Sequence, residues 1–203
     1  MIELLQKGGV IMGIILALSI VAAVIIIERL IYFRKIRVDE EQMINRLRAA
    51  LEKGHYEEAA SICENNQSPI TNLMKVGIDH RHFSEPEIKE SIMNAANLEI
   101  PNLERFLPAL GTVAHIAPLL GLLGTVTGNI EAFGVLGTFA GGGDPMALAS
   151  GIAEALLTTA AGIVVAVPAI ICYNSLVSRV NHIIIRLENR VSELVLLLKS
   201  GGE

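Results

Sequence analysis

A few polar side chains interrupt long apolar stretches of this sequence, and these are the groups that could do chemistry. Thr125 and Thr159 lie inside runs without charged residues, Glu154 opens one such run, and His115 lies near the middle of another. Ionisable and hydroxyl groups in such surroundings are costly to bury and can bind or pass on a proton. They do not form the nucleophile–base pair that an enzyme would need. We therefore expect a protein that is not an enzyme.

Three stretches contain no Asp, Glu, Lys or Arg, namely Gly8–Ile27, Phe106–Ile130 and Ala155–Ser178. A helix of about 20 residues spans the hydrocarbon core of a bilayer, so each stretch is long enough to cross. Only 18% of the 203 residues are charged, whereas soluble domains have about 25%. The net charge of −5 offers no basic field to nucleic acid. The sequence predicts an all-α integral membrane protein with three transmembrane helices, and it disfavours a soluble enzyme or a nucleic-acid binder.

Basic residues are distributed unevenly along the chain. Of the 16 Lys and Arg residues, eleven lie in Glu28–Arg105, four in Arg179–Glu203 and none in Glu131–Glu154. Basic loops remain on the cytoplasmic side of a membrane, which predicts a periplasmic N-terminus and a cytoplasmic C-terminus. The predicted segments are the first transmembrane helix at 1–27, a cytoplasmic helical region at 28–105, the second transmembrane helix at 106–133, a periplasmic loop at 134–146, the third transmembrane helix at 147–178 and a cytoplasmic helical tail at 179–203.

The polar segments show helix signals rather than the alternation of a strand. Asp39 can cap a helix through Leu51, and His55–Cys63 fits a second short helix. The Ser-Glu-Pro-Glu sequence at Ser84–Glu87 is a capping box with proline in the first turn, which marks a helix start. No glycine follows until Gly111. The sequence therefore predicts one helix from this cap into the second span, bent at its prolines.

The third apolar run is followed by apolar residues at alternating spacings of four and three, a two-in-seven seam on an otherwise polar helix. Such a seam favours packing against other helices, within one subunit or between subunits. The alternative is a helix that lies on the lipid surface. We expect the second and third membrane helices both to extend into the cytoplasm. The seam residues are Val180, Ile184, Leu187, Val191, Leu194 and Leu198.

Small residues recur at helical spacing on one side of the second span and one side of the third. They let membrane helices approach closely, and a smooth face without charge suits the wall of a pore. Thr125 and Thr159 fall on these faces at about the same depth, although each hydroxyl has the alternative of donating to a carbonyl one turn earlier. The predicted pore-facing small residues are Ala114, Pro118, Gly121, Gly128, Ala155, Gly162 and Ala166.

Other polar residues have two interpretations each. Glu154 is a functional acid or a cap at the start of the third helix. His115 titrates during function or only packs, and Thr158, within a turn of Glu154, is a second uncertain candidate. The His80–His82 triplet fits a solvated turn better than a metal site, since no third ligand has suitable spacing. We predict no metal and no cofactor.

Two stretches carry a family resemblance. One is Ala117–Val126 in the second span, and the other begins at Asp144 and runs through Leu148–Gly162 to Val167–Ala169. Together they resemble the membrane-helix signatures of the MotA/TolQ/ExbB proton channel family. The Gly-Gly-Gly-Asp-Pro sequence at Gly141–Pro145 is similar to the ExbB branch.

The resemblance implies a stator or channel subunit of a motor in the bacterial inner membrane that is driven by the proton-motive force. In such motors a homopentamer encloses a pore, a single-span ExbD- or TolR-like partner threads it, and an Asp of the partner carries the proton. Thr125 and Thr159 match the pore-facing threonines, and Glu154 matches the acid of the third span. ExbB systems energise a TonB-like protein for outer-membrane transport. The alternatives are a TolQ-like subunit that maintains the envelope and a non-conducting membrane scaffold.

Overall fold

The computed structural model of the chain describes residues 9–37, 40–66, 68–138 and 145–200, and all regular structure in these ranges is helical. Three of its helices are long and apolar enough to cross a membrane, over Gly9–Ile36, Glu85–Gly134 and Leu148–Leu198. The prediction of an all-α protein with three spans is confirmed. The helices are α1 (Gly9–Arg37), α2 (Glu40–Glu52), α3 (Tyr56–Asn65), α4 (Pro69–Asp79), α5 (Glu85–Glu104), α6 (Leu107–Thr138) and α7 (Pro145–Ser200).

The described residues form two compact units. The apolar unit is drawn from Met1–Arg29 and Phe106–Leu176, and the polar unit from Leu30–Arg105 and Val177–Glu203. The division follows hydropathy, because the charge-free stretches of the sequence fall in the first unit and most charged residues in the second.

In the apolar unit, α1 buries a single stripe and leaves the rest of its surface uncovered. Ile15 and Ala22 are buried, whereas Val10, Ile20 and Val24 are exposed even though they are large and apolar. An apolar side chain needs no protein cover where lipid surrounds it, because lipid tails are as apolar as Val or Ile. This burial pattern is typical of a membrane helix that faces lipid on most of its surface.

In the polar unit, α2 to α5 pack in sequence order, each against the next. The seam of α7 packs here too: Val180, Leu187, Val191 and Leu198 are buried. Leu194 meets α4, since a Cβ on Gly77 would lie 2.6 Å from its Cδ2 atom. The prediction that the seam packs on helices is confirmed within one chain, and its burial excludes the alternative of a seam immersed in the lipid surface.

Two helix starts in the polar unit are fixed by capping boxes. The backbone N–H of Ser84 donates to the Glu87 carboxylate at 2.9 Å, as the sequence predicts. The start of α4 was not predicted: the Ser68 hydroxyl accepts from the backbone N–H of Thr71, and the backbone N–H of Ser68 donates to the Thr71 hydroxyl at 2.8 Å. A serine N-cap followed by Pro69 at the first helical position is the sequence signal for this helix.

The predicted helix from Ser84 into the second span corresponds to the long apolar segment Glu85–Gly134. Only its predicted continuity is wrong, because α5 ends at Glu104 and α6 begins at Leu107. Phe106 has a φ of +64°, in the left-handed region, and its carbonyl accepts the first backbone hydrogen bond of α6 from Leu110. Pro108 accounts for the break: it has no N–H for the carbonyl of Glu104, and its ring would collide with that carbonyl in a continuous helix. Pro101 and Pro118 lie inside helices.

The helices also extend beyond the predicted span limits. α6 continues past residue 133 to Thr138, and α7 begins at Pro145 and runs without interruption to Ser200. The predicted loop at 134–146 is therefore helical at both ends, while residues 139–144 lie outside the described part of the chain. Hydropathy marks where a membrane ends, whereas helix limits follow backbone hydrogen bonding, so the two need not coincide. Asp39, the predicted cap of the helix now seen as α2, also lies outside the described residues.

Candidate functional site

Glycine allows α6 and α7 to pack with their backbones in contact. A Cβ on Gly162 would lie 2.5 Å from the carbonyl oxygen of Ala117, and one on Gly121 would lie 2.9 Å from the Cα atom of Thr159. A Cβ on Gly128 would lie 2.7 Å from that of Ala155. Real Cβ atoms do not approach other atoms so closely, so these positions admit only glycine at this helix separation.

This contact accounts for most of the small residues that were predicted to face a pore. Ala114, Ala155 and Ala166 are buried, as are Gly121 and Gly162. Pro118 and Gly128 are half-buried. In one chain Gly121, Gly128, Ala155 and Gly162 form part of the interface between α6 and α7, and a role of the predicted small residues in lining a pore remains a prediction.

Thr159 makes a hydrogen bond between the two helices. Its hydroxyl donates to the carbonyl oxygen of Gly121 at 2.8 Å. The alternative that it only bonds one turn back along its own helix does not describe this structure. The residue is half-buried, and its hydroxyl oxygen keeps lone pairs that can accept a further hydrogen bond.

Thr125 behaves differently from Thr159. Its hydroxyl donates to the carbonyl of Leu122 at 2.7 Å, which is the local bond of the alternative interpretation. Thr159 contacts Gly121, and Gly121 lies one helical turn from Thr125. The two hydroxyls therefore lie within about one turn of the same level, and both present oxygen lone pairs rather than protons to an incoming group.

Thr158 and Glu154 lie one turn apart on α7. Thr158 is buried and its hydroxyl is 2.7 Å from the carbonyl of Ala155 and 3.3 Å from that of Gly121. Glu154 is half-buried and has no hydrogen bond or ion pair with the residues that the structure describes. Because α7 begins at Pro145, Glu154 is not at the helix N-terminus, and its interpretation as a helix cap is wrong.

His115 lies on the exposed side of α6. Its Nδ1 atom is 2.6 Å from the carbonyl of Gly111, and because a carbonyl can only accept, Nδ1 donates in that bond. Tyr173 of α7 covers Gly111, since a Cβ on this glycine would lie 3.0 Å from the tyrosine ring. The structure does not bring His115 together with Thr125, Thr159 or Glu154 by any direct bond among the described residues.

Arg29 is a buried residue that the sequence did not single out. It is 2% exposed, binds the Glu28 carboxylate through Nε at 2.5 Å and through a second nitrogen at 2.6 Å, and lies 5.7 Å from the centroid of the Phe106 ring. The sequence signal is an Arg directly after an apolar run with an acid beside it. Cation–π contact with Phe106 links α1 to the left-handed residue before α6.

The site has few charges. Within α6 the ionisable residues are His115 and Glu131, and Glu154 is the one charged residue of α7 before Arg179. Electrostatic interactions are strong in the apolar interior of a membrane because little water screens them. An ion or charged group that enters this site would therefore interact most strongly with the threonine hydroxyls and with the carboxyl group of Glu154.

These observations define an all-helical, multi-pass membrane protein whose second and third spans pack through glycine and are linked by threonine hydroxyls. The family model for the MotA/TolQ/ExbB proton channel family matches residues 65–189, which is more than half of the chain. The chain belongs to that family, in agreement with the resemblance of its two motifs. Members of the family are channel proteins and not enzymes.

Individual relatives agree with the family model. The chain is 32% identical over 188 residues to a biopolymer transport protein ExbB homolog of Methanothermobacter thermautotrophicus; the match covers 92% of this chain and 66% of that protein. It is 36% identical over 176 residues to the ExbB-like 1 protein of Synechocystis sp., covering 85% and 68%. It is 36% identical over 104 residues to the Tol-Pal system protein TolQ of Haemophilus influenzae, covering 51% and 45%. The chain thus spans about two thirds of the length of the two ExbB relatives.

Proposed function

We propose that this chain is the stator and channel subunit of a membrane motor driven by the proton-motive force, of the ExbB–ExbD kind. In this proposal it forms a homopentamer in a bacterial inner membrane, with its N-terminus periplasmic and its C-terminus cytoplasmic. Membership of the family implies an ExbD- or TolR-type single-span partner. The motor energises a TonB-like protein for outer-membrane transport.

The observation that carries the proposal is the hydroxyl pair of Thr125 and Thr159 in an otherwise charge-poor helix pair. A carboxyl group that crosses a membrane needs polar partners in both protonation states. Thr125 and Thr159 each donate to a backbone carbonyl, so their free lone pairs can accept a hydrogen bond from a protonated carboxyl. The smooth surface around them would let a partner helix move past. The partner carries the acid, because the two stretches that contain Thr125 and Thr159, Phe106–Ile130 and Ala155–Ser178, have no Asp or Glu.

The energy available is sufficient for a mechanical step. One elementary charge that crosses a potential of 100 mV releases about 2.3 kcal/mol, which is enough to change the population ratio of two packed states about fiftyfold. Glu154, one turn from Thr158 on α7, is proposed to lie on the route by which the proton reaches the carboxyl.

Proton uptake by vesicles tests the proposal. Vesicles that contain the chain and its single-span partner should take up protons when a potential is applied, and vesicles with the chain alone should not. Thr159→Val should reduce the flux at least tenfold, because it removes the hydroxyl with little change in size. A complex that assembles and performs work without proton flux would indicate the scaffold alternative.

The match to a TolQ protein supports a second candidate, a subunit that maintains the envelope rather than one that serves transport. The two candidates share the channel chemistry and differ in the protein that the motor drives. Complementation separates them. If the first candidate is correct, the chain should restore energised uptake to a strain without its own ExbB. If the second candidate is correct, the chain should restore resistance to detergent to a strain without TolQ.

A further inference from the structure

A buried hydroxyl lies beside the Thr159 contact, and both helices are shaped around it. Thr158 is 4% exposed and is one of three buried polar or charged residues, with Arg29 and Thr71, in the described part of the chain. The opposite helix has Gly124 at this place, where a Cβ would overlap the Thr158 hydroxyl oxygen. A valine would fill the same volume without a polar atom, so shape alone does not explain why a threonine is present.

The Thr158 hydroxyl has one proton and two acceptors within reach. Its oxygen is 2.7 Å from the carbonyl of Ala155 on its own helix and 3.3 Å from the carbonyl of Gly121 on α6. A hydroxyl donates one hydrogen bond. Both acceptors are reached from a single position of the oxygen, so a change of acceptor needs only rotation of the O–H bond.

Thr159 uses the same Gly121 carbonyl, at 2.8 Å. Two consecutive threonines of α7 therefore compete to donate to one oxygen of α6. While Thr159 donates there, its oxygen offers lone pairs, which suit a protonated carboxyl. To bind an ionised carboxylate, Thr159 must turn its proton outward, and the Gly121 carbonyl then loses that donor. The carbonyl keeps the backbone N–H of Thr125, its partner within α6, so what is lost is one net hydrogen bond between the two helices.

We propose that Thr158 is a positioning residue that donates to the Gly121 carbonyl when Thr159 turns its proton toward an ionised carboxylate. The inference rests on the proposed function, since the carboxylate belongs to the partner helix. Only O–H bonds rotate in this exchange: the threonines neither gain nor lose a proton, and the proton that is transported leaves from the carboxyl. Thr158 thus lets Thr159 serve both protonation states of the acid, while Ala155 gives up a bond that is local to its own helix.

The test is proton uptake by vesicles that contain the full chain with its single-span partner. Thr158→Val should reduce the flux about three- to tenfold, the range expected from one net hydrogen bond. Thr158→Ser keeps the hydroxyl and should conduct within about twofold of the wild type. Thr127→Val is the matched control, because the Thr127 hydroxyl donates only to Leu123 and Gly124 of its own helix; its flux should be unchanged.

Thr158→Ala and Thr158→Ser both lack the methyl group and differ only in the hydroxyl, so they remain informative if the valine variant fails to assemble. Equal flux in this pair, measured on equal amounts of assembled complex, would overturn the role of Thr158 and leave the proposed function standing. Equal loss in the serine and valine variants would also overturn it, since packing would then explain both. Absence of flux in the wild-type complex would instead reject the proposed function, and this inference with it.

Discussion

At the scale of single residues, glycine determines how close α6 and α7 come, and the threonines use that closeness. Gly121 has no side chain to collide with α7, so the two helices come close enough for the Thr159 hydroxyl to reach the Gly121 carbonyl. The glycine and threonine positions are therefore linked, since a wider helix separation would break the hydrogen bond.

Gly162→Ala should separate the helices and destabilise the protein. Its Cβ would lie 2.5 Å from the carbonyl oxygen of Ala117, and overpacking of this kind costs about 1–3 kcal/mol. Gly134→Ala is the control, because no atom lies within 4 Å of a Cβ at this position of α6. Thermal unfolding in detergent should show a lower midpoint for the first variant and not for the second. Equal midpoints would contradict the close approach.

Cys63 should make the stability of the polar unit depend on alkaline pH. Burial, partly opposed by the charge of Lys75, raises the pKa of this thiol from 9.0 to about 11. The folded state therefore favours the protonated thiol. The contribution of this buried thiol to the stability of the folded state is complete below pH 9 and is lost as the pH rises toward 11. The free energy of unfolding should fall over this window by on the order of 2 kcal/mol.

The measurement for Cys63 is denaturant unfolding at pH 8 and pH 10.5, compared with Cys63→Ala. Other groups titrate in this range, and the variant reports their share. The wild type should lose more stability than the variant between the two pH values. The same loss in both would show that the thiol is not shielded from water.

At the scale of helices, the tail of α7 is a continuation of a membrane span that serves as a packing element of the polar unit. Its buried residues follow the predicted seam, while Glu193 of the same turns pairs with Arg48 of α2. A two-in-seven pattern was sufficient to predict the buried side of this helix, because side chains three and four positions apart share a face.

Leu194→Ala should destabilise the polar unit by about 2–5 kcal/mol, the range for a buried leucine that leaves a cavity. Leu194 is 1% exposed, whereas Leu196 on the same turn is 67% exposed. Leu196→Ala therefore provides the control and should change stability little. Limited proteolysis of the tail together with thermal unfolding would detect the difference. If both variants lost the same stability, the seam would face a different direction from the one observed.

Two features of the helices could not be predicted from pattern alone. α4 was missed, although Ser68 and Pro69 carry its start signal, because an eleven-residue helix between turns offers little periodicity. The break at Phe106 was predicted as a bend, because the prolines nearby limit the helix without stating which residue takes the left-handed conformation. In each case more than one backbone conformation is compatible with the local sequence, and packing determines which one forms.

At the scale of the whole molecule, charge distribution is the basis for its orientation in the membrane. Eleven Lys and Arg residues lie in Glu28–Arg105 and none in Glu131–Glu154. Positive charge is retained on the cytoplasmic side, so the segment between α1 and α6 should be cytoplasmic and that between α6 and α7 periplasmic.

Single cysteines test this orientation. In a chain with Cys63 and Cys172 replaced by alanine, Gly142→Cys should react with a membrane-impermeant thiol reagent in intact cells, and His82→Cys only after the cells are opened. His82 lies in the turn between α4 and α5, and Gly142 lies between α6 and α7. Reaction at His82→Cys in intact cells would invert the proposed topology.

The sequence alone determined the class of this protein, because the length of a charge-free run, the period of a helix and the sign of loop charge are local properties that need no partner. It also identified Thr125, Thr159 and Glu154 as candidates through two motifs. Only the tertiary structure decided that most of the small residues pack α6 on α7, that Thr159 and Thr158 share the Gly121 carbonyl, and that Arg29 is buried. These facts depend on the distance between segments remote in the chain, which no local pattern specifies.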